Sequence, residues 1–89
     1  MLSSVSMSQN NPNPVAGATT IRYSLPAGFR AAQIIITDNS GKTIKQLPLN
    51  TAGNGTINID ASTLSSGTYN YTLVVDGKTI ESKRMVVAH

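Results

Sequence analysis

Four carboxylates, one histidine and no cysteine are all that this 89-residue sequence offers for acid–base, thiol or metal chemistry. The carboxylates are Asp38, Asp60, Asp76 and Glu81, and the histidine is the last residue, His89. Without cysteine there is no thiol nucleophile and no thiolate metal site. No base stands at a recognisable spacing from any of the serines. Asp38 opens the run Asp38-Asn39-Ser40-Gly41 and Asp76 precedes Gly77, both places where aspartate serves turn formation by bonding nearby backbone. The first run has a faint likeness to a calcium loop, but it lacks the alternating acidic positions and the distal glutamate. The expectation is therefore no catalytic residue, no metal site and no cofactor.

Charge and composition exclude further classes. The formal charge is +3, with 12% charged residues. Arg22, Arg30, Lys42, Lys45 and Lys78 are scattered singly, and the one adjacent basic pair is Lys83-Arg84. A nucleic-acid binder would mass such residues on one face. No apolar run reaches the roughly 18 residues of a membrane-spanning helix. Ser, Thr and Asn take the place of charge, as on the solvent face of an exported β-protein, and a lack of cysteine suits passage through an oxidising space. The N-terminus has neither the basic nor the apolar region of a signal peptide. Met1 is accordingly expected to begin an excised piece of a longer chain.

Periodicity gives the elements. Thr19 to Leu25 alternates with Ile21, Tyr23 and Leu25 on one face, and Pro26 ends it. Ala32 to Thr37 is the next strand, and Asn39-Ser40-Gly41 reads as a three-residue hairpin loop that sets Asp38 against Lys42 and Ile36 against Ile44. From Lys42 to Leu49 the apolar phase slips between Ile44 and Leu47, which asks for a bulge, and Pro48 puts this strand at a sheet edge. Residues 51–55 read as a loop, Thr56 to Asp60 as a strand with Ile57 and Ile59 inward, and Leu64 as a plug for the core. Tyr69, Tyr71, Leu73 and Val75 then alternate up to Asp76-Gly77, the dipeptide of a type I′ hairpin turn.

A regular two-residue turn there would pair Leu73 with Ile80, Tyr71 with Ser82 and Tyr69 with Arg84. Met85 and Val87 would then point away from the core, so a bulge near Ser82-Lys83-Arg84 is expected to bring them inward. Val5 to Gln9 alternates as a short edge strand, and Asn10-Asn11-Pro12-Asn13-Pro14 must be an extended loop. The whole is all-β: a small antiparallel, immunoglobulin-like β-sandwich of about seven strands. Tyr23, Tyr69 and Tyr71 fall on inward phases, so Phe29, in a loop, is the remaining aromatic for a sugar platform. Tyr69, following Leu64-Ser65-Ser66-Gly67-Thr68, is similar to the tyrosine corner of such sandwiches.

The ordered motifs carry a family likeness. Gln9-Asn10-Asn11-Pro12-Asn13-Pro14, Thr20 to Pro26, Asp38 to Lys42, Leu64 to Tyr69 and Lys83-Arg84-Met85-Val86-Val87 resemble, in order, the C-terminal sorting domains of the type IX secretion system of Bacteroidetes. The resemblance covers about residues 9 to 87, leaving 1–8 as a linker, tail or edge strand and 9–89 as the sorting domain. It implies a secretion signal rather than an enzyme. The partners it implies are translocon components, a surface sorting peptidase and an N-terminal cargo protein. The location it implies is the periplasm in transit, then the outer-membrane surface or the extracellular space.

Pro12, Asn13, Pro14, Gly41, Gly67 and Tyr69 match motif positions with a structural role, while Lys83, Arg84, Met85, Val86 and Val87 are where the translocon is expected to read the signal. The resemblance places any cleavage near or before residue 8. A fibronectin-like spacer or carbohydrate-binding module is the alternative. A third reading, weak homodimerisation through a strand edge, rests on Val5 to Gln9 and on the edge at Val87.

Overall fold

Along Ala18–Leu25, Ala32–Thr37 and Gly67–Val75 buried residues alternate with half-buried or exposed ones, so each strand gives one face to a common core. The computed structural model describes residues 5–11, 13–50 and 52–88. Its strands are β1 (Ser6–Met7), β2 (Ala18–Leu25), β3 (Ala32–Thr37), β4 (Thr43–Leu49), β5 (Gly53–Asp60), β6 (Gly67–Val75) and β7 (Lys78–Val87). They form two antiparallel sheets, ordered β1-β2-β5 and β4-β3-β6-β7. The chain passes between sheets at β2–β3, β4–β5 and β5–β6, and the remaining long strands are joined as the hairpins β3–β4 and β6–β7. This is the expected immunoglobulin-like β-sandwich. Ile21, Ile34, Ile36, Ile59, Tyr71, Leu73, Met85 and Val87 are the fully buried centre of its core, and Leu64 closes one end.

Most local expectations hold. Pro48 lies on β4, an edge strand. Gly41 takes φ +88° in the β3–β4 loop, where the Asp38 amide donates to the Lys42 carbonyl. Asp76 and Gly77 have φ of 51° and 80°, as a type I′ turn requires. Two boundaries differ. The first β-bulge sits at Ile44, directly after the loop, so Ile36 faces Lys45 and not Ile44, which brings Leu47 and Leu49 opposite Ile34 and Ala32. β5 begins at Gly53, inside the expected loop, because residues 53–55 extend the ladder against Leu25, Ser24 and Tyr23.

Gly55 shows why the β5 extension needs glycine. The Tyr23 ring lies over it, and a Cβ at residue 55 would stand 2.6 Å from the ring's Cζ and Oη. Gly55→Ala should therefore cost about 1–3 kcal/mol through overpacking against a buried ring. A lowered urea midpoint with an unchanged slope is the expected observation.

Candidate recognition site

The register of β7 decides which residues this strand shows to solvent. Val75 pairs with Lys78 and Val74 with Thr79, but Leu73 pairs with Glu81, so the extra residue is Ile80. The bulge thus lies next to the turn and not near Ser82-Lys83-Arg84, and the pairs become Tyr71–Lys83, Tyr69–Met85 and Gly67–Val87. An unbulged hairpin would set Ile80, Ser82, Arg84 and Val86 facing the core. The bulged one sets Glu81, Lys83, Met85 and Val87 there instead. Burying Met85 and Val87 contributes roughly 1.5–3 kcal/mol each, against a comparable loss at Ile80 and a partial one at Val86, which stays half-buried. It also spares Arg84 a position opposite buried Tyr69. Ile80 is left 41% exposed, the one exposed large apolar side chain among the described residues.

Glu81 and Lys83 sit at the rim of that inner row. Their side chains are 36% and 28% exposed and form an ion pair at 3.1 Å, and Glu81 also accepts the Met7 amide at 3.1 Å. Arg84 is exposed and Val86 half-buried on the outer row. Met85 and Val87, at 0% and 1% exposure, belong to the core. The five expected recognition residues therefore divide. Lys83, Arg84 and Val86 reach the surface of the folded domain, whereas the side chains of Met85 and Val87 do not.

The outer edge of β7, expected to be open, is covered from Arg84 to Ala88 by a strap whose described residues Gln9, Asn13 and Val15 bond to it. The Val15 amide donates to the Val86 carbonyl (2.8 Å) and the Ala88 amide to the Val15 carbonyl (2.9 Å), a short parallel bridge. The Val86 amide donates to Asn13 Oδ1 (2.9 Å), and Gln9 Nε2 donates to the Arg84 carbonyl (2.6 Å). Val15 itself is fully buried.

The strap is anchored below by Tyr71, whose hydroxyl accepts the Asn10 amide at 2.7 Å and donates to the Ser8 carbonyl at 3.0 Å. Asn10 is only 3% exposed, and its Nδ2 donates to Thr19 Oγ1 at 3.1 Å. Burial, followed by the Glu81 charge, pushes the Tyr71 hydroxyl above its ordinary pKa, against the opposing bond from Asn10. Gln9 and Asn10 open the first of the ordered motifs, but neither their bonds nor that of the Tyr71 hydroxyl is expected from sequence. A polar contact spanning 61 positions leaves no periodic mark.

The other motif positions are structural. Tyr69 makes the expected corner, its hydroxyl donating to the Ser65 carbonyl at 2.7 Å. Gly67 begins β6 at φ +155°, a conformation that residues with side chains rarely adopt. Asn13 and Pro14 are exposed and joined by a cis peptide bond, while Pro12 lies outside the described residues, as does His89. Tyr23, Tyr69 and Tyr71 are all core residues and Phe29 packs partly buried against the core, so the described aromatics form no exposed platform. A shallow dish of about 630 Å³ on the outer face of the smaller sheet is lined chiefly by Ser6, Ser8, Ser24, Asn54 and Thr56, with Arg22 its one charged residue. Among the described residues, no three His, Cys, Asp or Glu come together as a metal site would need.

The aspartates act as turn ligands. The side-chain hydroxyl of Ser40 and the amides of Lys42 and Ser40 hold the Asp38 carboxyl below its ordinary pKa. Ser62 does the same to Asp60, and the amides of Ala31 and Arg30 to Asp76. Each depressed value adds stability that is present above the ordinary aspartate pKa of about 3.9 and is lost as pH falls through the lower folded value. Urea midpoints should accordingly be flat from neutrality to about pH 4 and fall below it. Asp76→Ala should show a shallower fall.

A family model described as a secretion system C-terminal sorting domain matches residues 11–88. No curated protein and no solved structure matches the chain. The family is a secretion-signal domain and not a known catalytic one. The match runs from the strap to the end of the last strand, and the chain belongs to the secretion-system C-terminal sorting domains, the export signals of type IX secretion.

Proposed function

We propose that the type IX machinery reads this domain at the outer row of β7, with Arg84 and Val86 as the contacted side chains and Lys83 beside them at the rim. The observation that carries this reading is the bulge at Ile80, which fixes Arg84 and Val86 outward by burying Met85 and Val87. Met85 and Val87 are then positioning residues that hold the register. Deleting residues 83–89 cannot separate recognition from folding, since it removes two core side chains. A point substitution can.

Arg84→Glu should leave thermal unfolding unchanged, because the side chain is exposed. Fused behind a periplasmic reporter in a host with the system, the variant should send about tenfold less reporter to the surface than the wild-type domain, a reversed charge being strongly penalised at an interface. Equal export would remove Arg84 from the site. In the same reading the domain follows an N-terminal cargo, crosses the periplasm folded, and is severed from its cargo by a surface peptidase. Pairing of Ser6 and Met7 with Ser24 and Tyr23 argues against a cut within β1, because a peptidase needs chain that is not held in a sheet.

A further inference from the structure

The sheet edges of this domain are treated unequally. β4 carries Lys45, Pro48 and a bulge, devices that blunt an edge against another strand. β1 is two residues long. β7 is different, because its edge from Arg84 to Ala88 is occupied by a piece of extended chain that is not a regular strand. That piece displays the shape and chemistry of what the edge accepts.

We propose that the Arg84–Ala88 edge of β7 is a strand-acceptor site, at which an extended segment of the secretion machinery displaces residues 13–15 and pairs with β7 in parallel. The inference rests on the reading of β7 as the recognised strand. Among the described residues four bonds hold the strap on this edge, and two of them come from side chains, Asn13 Oδ1 and Gln9 Nε2, standing where a strand would offer a carbonyl and an amide. An incoming strand replaces both with backbone groups and loses nothing at Val86 or Ala88. The occupant needs a residue of valine size at the position of Val15, which is wholly enclosed and opposite Val87.

Two anchors frame the displaced stretch. Gly17, whose carbonyl accepts the Ala61 amide at 2.7 Å, follows it. Asn10, held to Tyr71, precedes it, so residues 13–15 can lift without detaching the rest of the strap. β5 also presents an edge, but among the described residues no strand other than β2 pairs with it to show what would fit.

The test uses Ala16 and Ala88, both exposed and next in register after the Val15–Val87 bridge. In a chain with no cysteine, Ala16→Cys with Ala88→Cys gives a reducible lock between strap and β7. A fluorescent peptide copying residues 9–17 is titrated into the full domain and followed by anisotropy. Binding to the wild type is expected, tightened about tenfold by Asn13→Ala, which removes one strap bond. It should be lost in the oxidised double-cysteine domain and regained on reduction.

No binding to either wild type or Asn13→Ala, or equal binding to the locked domain, overturns the proposal. Thiol labelling reports the locked fraction, and where the lock does not form, the comparison of wild type with Asn13→Ala decides. In the reporter fusion, the locked domain should stay in the periplasm while Ala88→Cys alone is exported. Export of the locked domain at the wild-type level overturns strand exchange and leaves the outer-row reading standing, whereas loss of export in Arg84→Glu bears only on the latter.

Discussion

Met85→Asp should abolish folding, and Met85→Ala should remove about 2–5 kcal/mol of stability. Met85 is 0% exposed and lies on the inner row opposite Tyr69, between the half-buried Lys83 and the buried Val87. A domain of this size has roughly 4–13 kcal/mol to lose, at about 0.05–0.15 kcal/mol per residue. Truncation to alanine takes away a large fraction of that and leaves a cavity between the sheets. The neighbouring cation on the inner row, Lys83, is already paired with Glu81 at the rim, and burying an unpaired carboxylate costs more than the domain holds in reserve. Slipping β7 to the register without the bulge would relieve Met85→Asp only by pointing Arg84 at buried Tyr69, so the loss cannot be absorbed locally. Urea denaturation followed by tyrosine fluorescence checks both variants. A folded Met85→Asp domain with a wild-type midpoint would show that the bulge at Ile80 does not set the register of β7.

Tyr71→Phe should cost about 1–3 kcal/mol and loosen the strap as well as the core. The hydroxyl removed is the acceptor for the Asn10 amide and the donor to the Ser8 carbonyl, in a pocket where Tyr71 is fully buried. Losing it deprives a buried amide of that acceptor, which is dearer than losing an exposed bond. The amides of Val86 and Ala88, bonded to strap residues Asn13 and Val15, should then exchange with solvent faster than in the wild type.

Tyr69→Phe makes a contrasting control, since its hydroxyl donates to the Ser65 carbonyl four residues away, and its loss should leave those exchange rates alone. The raised Tyr71 pKa adds an alkaline signature. Its contribution is complete below the ordinary tyrosine value of about 10 and disappears as pH rises through the higher folded value. Tyr71→Phe should lack that decline. Unchanged exchange at Val86 and Ala88 would mean that Tyr71 does not anchor the strap.

What the sequence disclosed depended on distance along the chain. The Tyr69 corner, the Gly41 loop and the Asp76-Gly77 turn each rest on contacts within a few residues, and each was readable from residue type. The need for a phase shift before Met85 was also readable, because Leu73 and Val75 before the turn and Met85 and Val87 after it cannot share a face without one. Its position was not. Moving the extra residue from Ser82–Arg84 to Ile80 exposes one isoleucine but keeps both Glu81 and Lys83 together at the rim, where they pair. Only three-dimensional placement reveals that gain.

The strap was invisible for a related reason. Asn10, Asn13 and Gln9 look like loop residues, and their partners Tyr71, Val86 and Arg84 lie more than 60 positions away. The candidate site was consequently read as an open edge of five residues. In the structure Arg84 and Val86 lie on the outer row, Lys83 at the rim and Met85 and Val87 in the core, with Gln9, Asn13 and Val15 bonded along the edge.

The most direct test of the account is the location of a reporter carrying residues 1–89 at its C-terminus in a host with an intact type IX system. Protease added to whole cells should digest the wild-type fusion, and should leave it untouched in a host lacking the translocon. The Met85→Asp fusion should remain protected in both hosts. A wild-type fusion that folds yet stays protected inside intact, secretion-competent cells would contradict the assignment of this domain as an export signal.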